Sequence, residues 1–319
     1  MSGIGTVLAV GWGDGASDRP GAEALGGALA VAAKLGLTAV YASLGDPPEP
    51  GAEAAAASGV RALAVRGGAG DAESLTAQIV ALVEEFAAVV VLIAADDRGR
   101  QLAPRVAARA GGVGVNNATA LEVIEGSLHV TRPVFGGKAM CRLVPLRVPA
   151  VVSLRSRTFE PAPGAPGGSV EVRSMPVQSR VRLIENIPPV LEEEHLEDAR
   201  VVVSGGRGMG DAEAFAALEE LAGALGGVLG ASLAAVDQGW VSPSRQVGLT
   251  GKVVSPELYV AVGISGASQH LAGLASGVVL AINKDAKAPI FESAQLGLIG
   301  DAKLLVPALI SAVRATRGG

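Results

Sequence analysis

Residues 88–95 read AVVVLIAA, an unbroken apolar run that stops at the charged stretch DDRGR, residues 96–100. A strand with one wet face alternates apolar and polar side chains, so a run without any polar position marks a strand covered on both faces. Helices packed on both sides of a parallel sheet provide that cover. The neighbouring sequence agrees. TVLAVGW (6–12), TAVYASLG (38–45) and RALAVRG (61–67) read as further strands. Between them lie RPGAEALGGALAVAAKLG (19–36), a helix closed by Gly36, and the Ala-rich segment EAAAAS (53–58). DAESLTAQIVALVEEF (71–86) reads as a helix with Asp71 as its cap, and QLAPRVAARAG (101–111) as a helix behind the polar loop.

From about residue 115 to 185 the period drops to two. LHVTRPVFGGKAMCRLVPLRVPAVVSLR (128–155) and SVEVRSM (169–175) predict strands that extend or flank the first sheet. IENIPPVLEEEHLEDA (184–199) combines two prolines with an acidic run and reads equally as a linker or a solvated helix face. It divides the chain into expected domains 1–188 and 189–319. A second alternation then begins. ARVVVSGG (199–206), GVLGAS (227–232), YVAVGIS (259–265) and VVLAIN (278–283) read as strands, and VVSPELY (253–259) as another short one. Helices are expected over DAEAFAALEELAGALG (211–226) and AKLLVPALISAVRAT (302–316), with APIFESAQLGLIGD (288–301) leading into the last. The fold class is therefore α/β: two doubly wound domains, the first a parallel sheet with helices on both faces plus flanking strands.

Composition narrows the function. The 319 residues are 49% hydrophobic and 18% charged, with a net charge of −5 and no Lys/Arg-rich run, which argues against nucleic acid. Aromatics make up 3%, too few for a base-stacking platform. One cysteine, Cys141, rules out a disulfide framework and fits a reducing cytoplasm. His129, His195 and His270 are scattered, so no zinc site is expected. No apolar run reaches the roughly 18 residues of a membrane span, and the N-terminal run reads as a first strand rather than a signal peptide.

Three glycine-rich turns follow strands in the second half. VVVSGGRGMGD (201–211) puts glycines between a strand and a helix, where N–H groups hold phosphate. Its spacing is not the G-x-G-x-x-G of the usual NAD site. Arg207 inside the turn either holds a diphosphate or faces solvent. QVGLTGK (246–252) lacks Walker spacing but offers Gln246, Thr250 and the N–H groups of 247–250 as donors. GISGASQH (263–270) opens a helix whose first turn carries Gln269 and His270, a donor and potential cation. Asn283 closes a later strand and Asp301 precedes the last helix, each as a ribose or phosphate contact or as a cap. No nucleophile, paired carboxylates or Ser–His–Asp order is present. This pattern describes a cofactor holder rather than an enzyme with its own side-chain acid–base chemistry.

These segments resemble a known family. VVVSGGRGMG, ASLAAVDQGWV, RQVGLTGKVVSPELYVAVGISGASQHLAG and INKDAKAPIFESAQLGLIGD are similar to the alpha subunit of electron-transfer flavoproteins, densely from about 200 to 307. LAPRVAARAG, GVGVNNATALE and RPVFGGKAM extend the resemblance through the first half. It implies a C-terminal Rossmann-like domain holding FAD, and a heterodimer with a beta subunit that carries AMP or a second FAD. It implies donors among dehydrogenases, acyl-CoA type included as in fatty acid beta-oxidation, and a quinone oxidoreductase or other acceptor. A bifurcating NADH-linked complex is the alternative within the family, and a nucleotide-binding protein without redox function is the alternative outside it.

By the same resemblance Arg207 lies near flavin and diphosphate, and Ser232 touches the cofactor. Val247, Gly248, Leu249 and Thr250 line the isoalloxazine, with the Thr250 hydroxyl near N5, and Gln246 beside them is a further cofactor-binding residue. The turn from Gly263 and Ile264 through Ser265, Gly266, Ala267, Ser268, Gln269 and His270 holds diphosphate and ribityl, with His270 near flavin O2. Asn283 meets the phosphate or ribose, and Asp301 the adenosine end. Three positions depart from the family pattern: Leu233 where an Arg is usual, Leu249 where Gln is usual, and AQLG (294–297), where an acid is common. A missing unit charge about 4 Å from the ring is worth up to roughly 4 kcal/mol, on the order of 40–170 mV for one electron. A lower flavin potential is the expectation, unless Arg245 compensates.

Overall fold

The computed structural model describes residues 5–13, 19–45, 47–68, 70–137, 139–181, 184, 196–274 and 277–317. The chain divides into two units, Met1–Val134 with Lys138–Ile187, and Pro188–Gly319 with Phe135–Gly137. Most of the proline and acidic stretch, residues 185–195 with His195, lies outside the described residues.

The first unit opens with the expected alternation. Strands β1 (Thr6–Trp12), β2 (Thr38–Leu44), β3 (Arg61–Arg66) and β4 (Ala88–Ala94) alternate with helices α1 (Arg19–Leu35), α2 (Glu49–Ala56), α3 (Ala72–Glu85) and α4 (Asp97–Arg109). Strands β5 (Val113–Ala118), β9 (Ala150–Leu154) and β10 (Ser169–Ser174) complete a seven-stranded parallel sheet in the order β10-β3-β2-β1-β4-β9-β5. The apolar strand that decides the fold sits near its centre. Its side chains divide between two cores: Val90 and Leu92 pack with α1 and α2, while Val91 and Ile93 pack with α3 and α4. Strands β6 (Ala120–Ile124), β7 (Ser127–Val134) and β8 (Ala139–Leu143) form a separate antiparallel sheet instead of extending the first.

Two local readings shift. DDRGR is not a loop: Asp96 caps α4 through Gly99 N–H at 2.6 Å, and the helix starts at Asp97. The Asp96 carboxylate is also held by Trp12 Nε1 at 2.6 Å, and burial pushes it above the usual carboxylate range. Asp71 caps α3 as expected, accepting from Glu73 N at 2.8 Å and Ser74 N at 3.2 Å.

In the second unit β11 (Val201–Gly205), β12 (Val228–Ala231), β13 (Leu258–Val262), β14 (Val278–Asn283) and β15 (Leu296–Ile299) pair in parallel in the order β12-β11-β13-β14-β15. Alternate residues again face opposite ways. Val203, Val260 and Ile282 pack on helices α5 (Ala214–Leu225) and α8 (Ala302–Arg317). Val202, Tyr259 and Ala281 pack under the loops that carry Val247, Ile264 and Ile290. VVSPELY does not form a strand of its own: only Leu258 and Tyr259 enter β13, and Val254 makes an isolated bridge to Leu274. β15, inside the stretch read as a lead-in to α8, is an edge strand that sequence reading missed. Asp211 sits before α5 rather than in its first turn and accepts from Ala214 N at 2.8 Å.

Replacing Asp71 with Ala removes both cap bonds and the Ser179 Oγ contact at 3.0 Å. The expected loss is about 1–2 kcal/mol of stability. Urea denaturation checks this, with the midpoint falling and the slope unchanged.

Candidate functional site

The strand order of the second unit reverses between β11 and β13. The chain leaves β11 for β12 on one side, then crosses to β13 on the other. Loops leaving the two strand ends diverge there, and open α/β sheets bind ligands in that crevice. The two turns nevertheless touch at their base. Gly206 N donates to Val262 O at 2.9 Å and Gly208 N to Gly263 O at 2.9 Å. A Cβ on Gly208 would lie 2.7 Å from Gly263 O, and one on Gly263, at φ +62°, 2.9 Å from Gly208 C. Side chains are excluded by backbone meeting backbone, so the glycines set the turn geometry itself.

Above this contact lies a cavity of about 710 Å³. The turn after β11 contributes Arg207 and Gly208, and the segment after β12 contributes Ser232, Leu233, Ala234 and Asp237. The 246–250 loop contributes Gln246, Val247, Gly248, Leu249 and Thr250. The segment after β13 contributes Gly263, Ile264, Ser265, Ala267, Gln269 and His270. Asn283, Lys284, Asp285, Ala288 and Pro289 come from beyond β14. A neighbouring recess of about 310 Å³ shares Gly208, Gly263, Asn283 and Lys284 and adds Asp301 and Lys303.

Fourteen of the seventeen site residues expected from sequence thus share one cavity, and Asp301 lines the recess beside it. Gly266 and Ser268 line neither. Gly266 has φ +86°, and a Cβ there would run into the Ile290 backbone, so its role is to let the turn pass. Sequence reading missed Asp237, Lys284, Asp285, Ala288 and Pro289 as lining residues. They stand on the segments that follow Ser232 and Asn283 but carry no motif of their own.

The donor expected from 247–250 is mostly committed to backbone. Val247 N donates to Ala231 O at 2.8 Å, Gly248 N to Lys252 O at 3.2 Å and Leu249 N to Gln269 O at 2.8 Å. Side chains remain. Gln246 Nε2 donates to Thr250 Oγ1 at 3.1 Å, which leaves the Thr250 hydroxyl proton for another acceptor. Ser232 is the N-cap residue before α6 (Leu233–Asp237) and makes no side-chain cap bond. Among the described residues no acceptor takes the N–H groups of Ser265, Gly266 or Ala267. Asn283 serves the turn: Nδ2 donates to Ile264 O at 2.9 Å and Oδ1 accepts from Asp285 N at 3.0 Å. Asp301 Oδ1 accepts from Lys303 N at 2.9 Å at the start of α8.

His270 differs most from expectation. It stands in α7 (Ser268–Leu271), 93% buried, and its Nε2 lies 2.8 Å from the hydroxyl of the fully buried Tyr259. Burial pushes the imidazole down to about 4, against a smaller opposing effect of the Val247 carbonyl. The ring is neutral at pH 7, so of the two possibilities read from sequence, donor and potential cation, burial favours the neutral donor. Its Nδ1 has no hydrogen-bond partner among the described residues. Burial also pushes the Tyr259 phenol above its usual range.

Arg207 forms no ion pair among the described residues and is the exposed cation of the β11 turn. Arg245 does not compensate for Leu233. Its guanidinium turns to the Leu229 carbonyl at 3.4 Å and Glu219 at 3.8 Å, outside the lining of the cavity.

An open parallel sheet with a cavity at its switch point, lined by free N–H groups, the cations Arg207 and Lys284 and a buried neutral imidazole, defines a cofactor-binding α/β protein. Residues 195–275 match the family model described as electron transfer flavoprotein FAD-binding domain, and residues 13–179 the electron transfer flavoprotein domain. The electron transfer flavoprotein subunit alpha of Thermoanaerobacterium thermosaccharolyticum is 40% identical over 73% of each chain. That of Mycobacterium leprae is 41% identical over 75% of this chain and 76% of its own. Protein FixB of Clostridium saccharobutylicum is 38% identical over 75% and 74%. The chain belongs to the electron transfer flavoprotein alpha-subunit family. No helix among the described residues is long and apolar enough to cross a membrane.

A histidine whose folded value lies near 4 and whose unfolded value is near 6.5 binds fewer protons when folded across that interval. Stability is therefore complete above about pH 6.5 and falls as pH drops toward 4, by on the order of 3 kcal/mol from this group. Urea titrations of the full chain across that range measure it. The His270→Gln variant should show a flatter curve; identical slopes would remove the buried neutral imidazole from the account.

Proposed function

We propose that this chain holds FAD in the switch-point cavity and serves as the alpha subunit of a two-subunit electron carrier. It pairs with a beta subunit that carries AMP or a second FAD. It receives electrons from dehydrogenases, acyl-CoA type among them, and passes them singly to a quinone oxidoreductase or a comparable acceptor. A reducing cytoplasm suits its lone Cys141. The observation that carries the reading is the cavity itself: neutral over most of its wall, adjoined by a polar recess, and lined for the most part by the segment that matches a FAD-binding domain.

The residues fit the group. The unpartnered Nδ1 of His270 is a buried polar atom that a ring heteroatom would satisfy. The Thr250 hydroxyl is available to a ring nitrogen, and Val247, Leu249 and Leu233 supply apolar wall. Arg207 and the open N–H groups of Ser265 and Ala267 suit a diphosphate, and the recess by Asn283 and Asp301 suits the adenosine end. A bound flavin supplies acceptance of an electron pair and release of single electrons. The chain fixes its position, shields one face from water and sets the local charge. Leu146 and Val148, 91% and 67% exposed, leave apolar surface on the first unit of the kind a partner subunit covers.

Co-expression with the companion subunit should give a yellow preparation whose flavin absorbance co-elutes with protein. A preparation that stays colourless after FAD is added ends this reading. The wall at Leu233 is 46% exposed and carries no cation. Leu233→Arg should raise the flavin potential by about 40–170 mV in a spectroelectrochemical titration, the range one charge near 4 Å gives for one electron. An unchanged potential would show that Leu233 does not face the ring.

A further inference from the structure

Tyr259 is absorbed by none of the roles above. It sits in the middle strand of its sheet, it is fully buried, and its hydroxyl is 2.8 Å from His270 Nε2. A large polar side chain in a sheet core costs stability unless its hydroxyl has a partner. Here the partner is His270 of the cavity lining, whose other nitrogen is unsatisfied among the described residues.

We propose that Tyr259 is a positioning residue for His270: its hydroxyl donates to Nε2, holds the imidazole in the tautomer protonated at Nδ1, and so presents a neutral N–H to the cofactor. The inference rests on the flavin reading for the identity of the acceptor, but not for the tautomer. Three features fix the direction of the bond. A neutral imidazole has one N–H, so one nitrogen must accept. A phenol is a good donor and a poor acceptor, and an unprotonated ring nitrogen is a good acceptor, so O–H···N is the favoured pairing. Were Nε2–H the donor instead, the phenolic hydrogen would have only Ser204 Oγ beside it, which does not reach hydrogen-bond geometry among the described residues. That would leave a buried donor unmade.

A donor fixed in this way prefers an acceptor oxygen or nitrogen, and it binds more tightly when that atom gains negative charge. The device differs from a cationic histidine, because its donor persists across neutral pH.

Only three histidines are present, so ¹⁵N-histidine labelling of the full chain gives a sparse spectrum, with His270 assigned from the His270→Gln variant. Long-range ¹H–¹⁵N correlation should find His270 protonated at Nδ1 and bare at Nε2, with or without FAD. Tyr259→Phe should shift the ring to the Nε2–H form or a mixture, and weaken FAD about tenfold in the heterodimer, the scale of one lost buried hydrogen bond. On a His270→Gln background the same change should alter FAD affinity by less than about twofold, because Tyr259 acts through the imidazole. An Nε2–H form in the wild-type spectrum overturns the proposal. So does an undiminished loss on the His270→Gln background. If Tyr259→Phe does not fold, the wild-type spectrum alone decides. If the wild type takes up no FAD, the flavin reading falls while the tautomer is still read directly.

Discussion

The site depends on two turns meeting backbone to backbone. Gly208 N–H reaches the Gly263 carbonyl at 2.9 Å, and neither position has room for a side chain. This contact ties the ends of β11 and β13 together at the point where the strand order reverses. Without it the loops above would have no common floor, and Arg207 and His270 would not share a cavity. The glycines are therefore architecture first. Whatever anion-holding capacity the turns have follows from where this packing leaves their N–H groups.

Burial, rather than sequence neighbourhood, decides the electrostatic character of that cavity. His270 stands at a helix start, where a charged ring would be out of place, and the packing of β13 beneath it removes its water. The Lys303 ammonium pairs with Asp211 at 3.0 Å, and Arg245 is occupied by Glu219 and Leu229. Positive charge near the ligand is thus concentrated at Arg207 and Lys284 rather than spread along the wall.

Much of this was legible in the residues, and the exceptions have physical causes. AVVVLIAA, TVLAVGW and VVLAIN announce buried parallel strands because nothing polar interrupts them. LGLI in β15 was hidden because it is an edge strand with three exposed residues, so it lacks the pattern that burial imposes. VVSPELY looked like a strand on β propensity, but Pro256 lacks the ladder N–H. In the site, turn motifs identified Thr250, Arg207 and His270, which are local signals. Asp237 and Lys284 were not singled out because neither carries a turn motif of its own, although each stands close in sequence to a named site residue, Ser232 and Asn283. The neutral state of His270 was equally hidden: it depends on burial that no window of sequence contains, in packing that includes Tyr259, eleven positions away.

The loop from Gln246 to Lys252 is closed on itself. Lys252 N donates to Gln246 O at 2.7 Å, Gly251 N to Gly248 O at 3.1 Å, and Gln246 to Thr250 through their side chains. A segment already cross-braced in this way has little conformational freedom left to surrender when a ligand arrives. Association at this wall resembles insertion into a mould rather than closure of a flap, and the entropy that a floppy loop would lose on binding has been given up during folding.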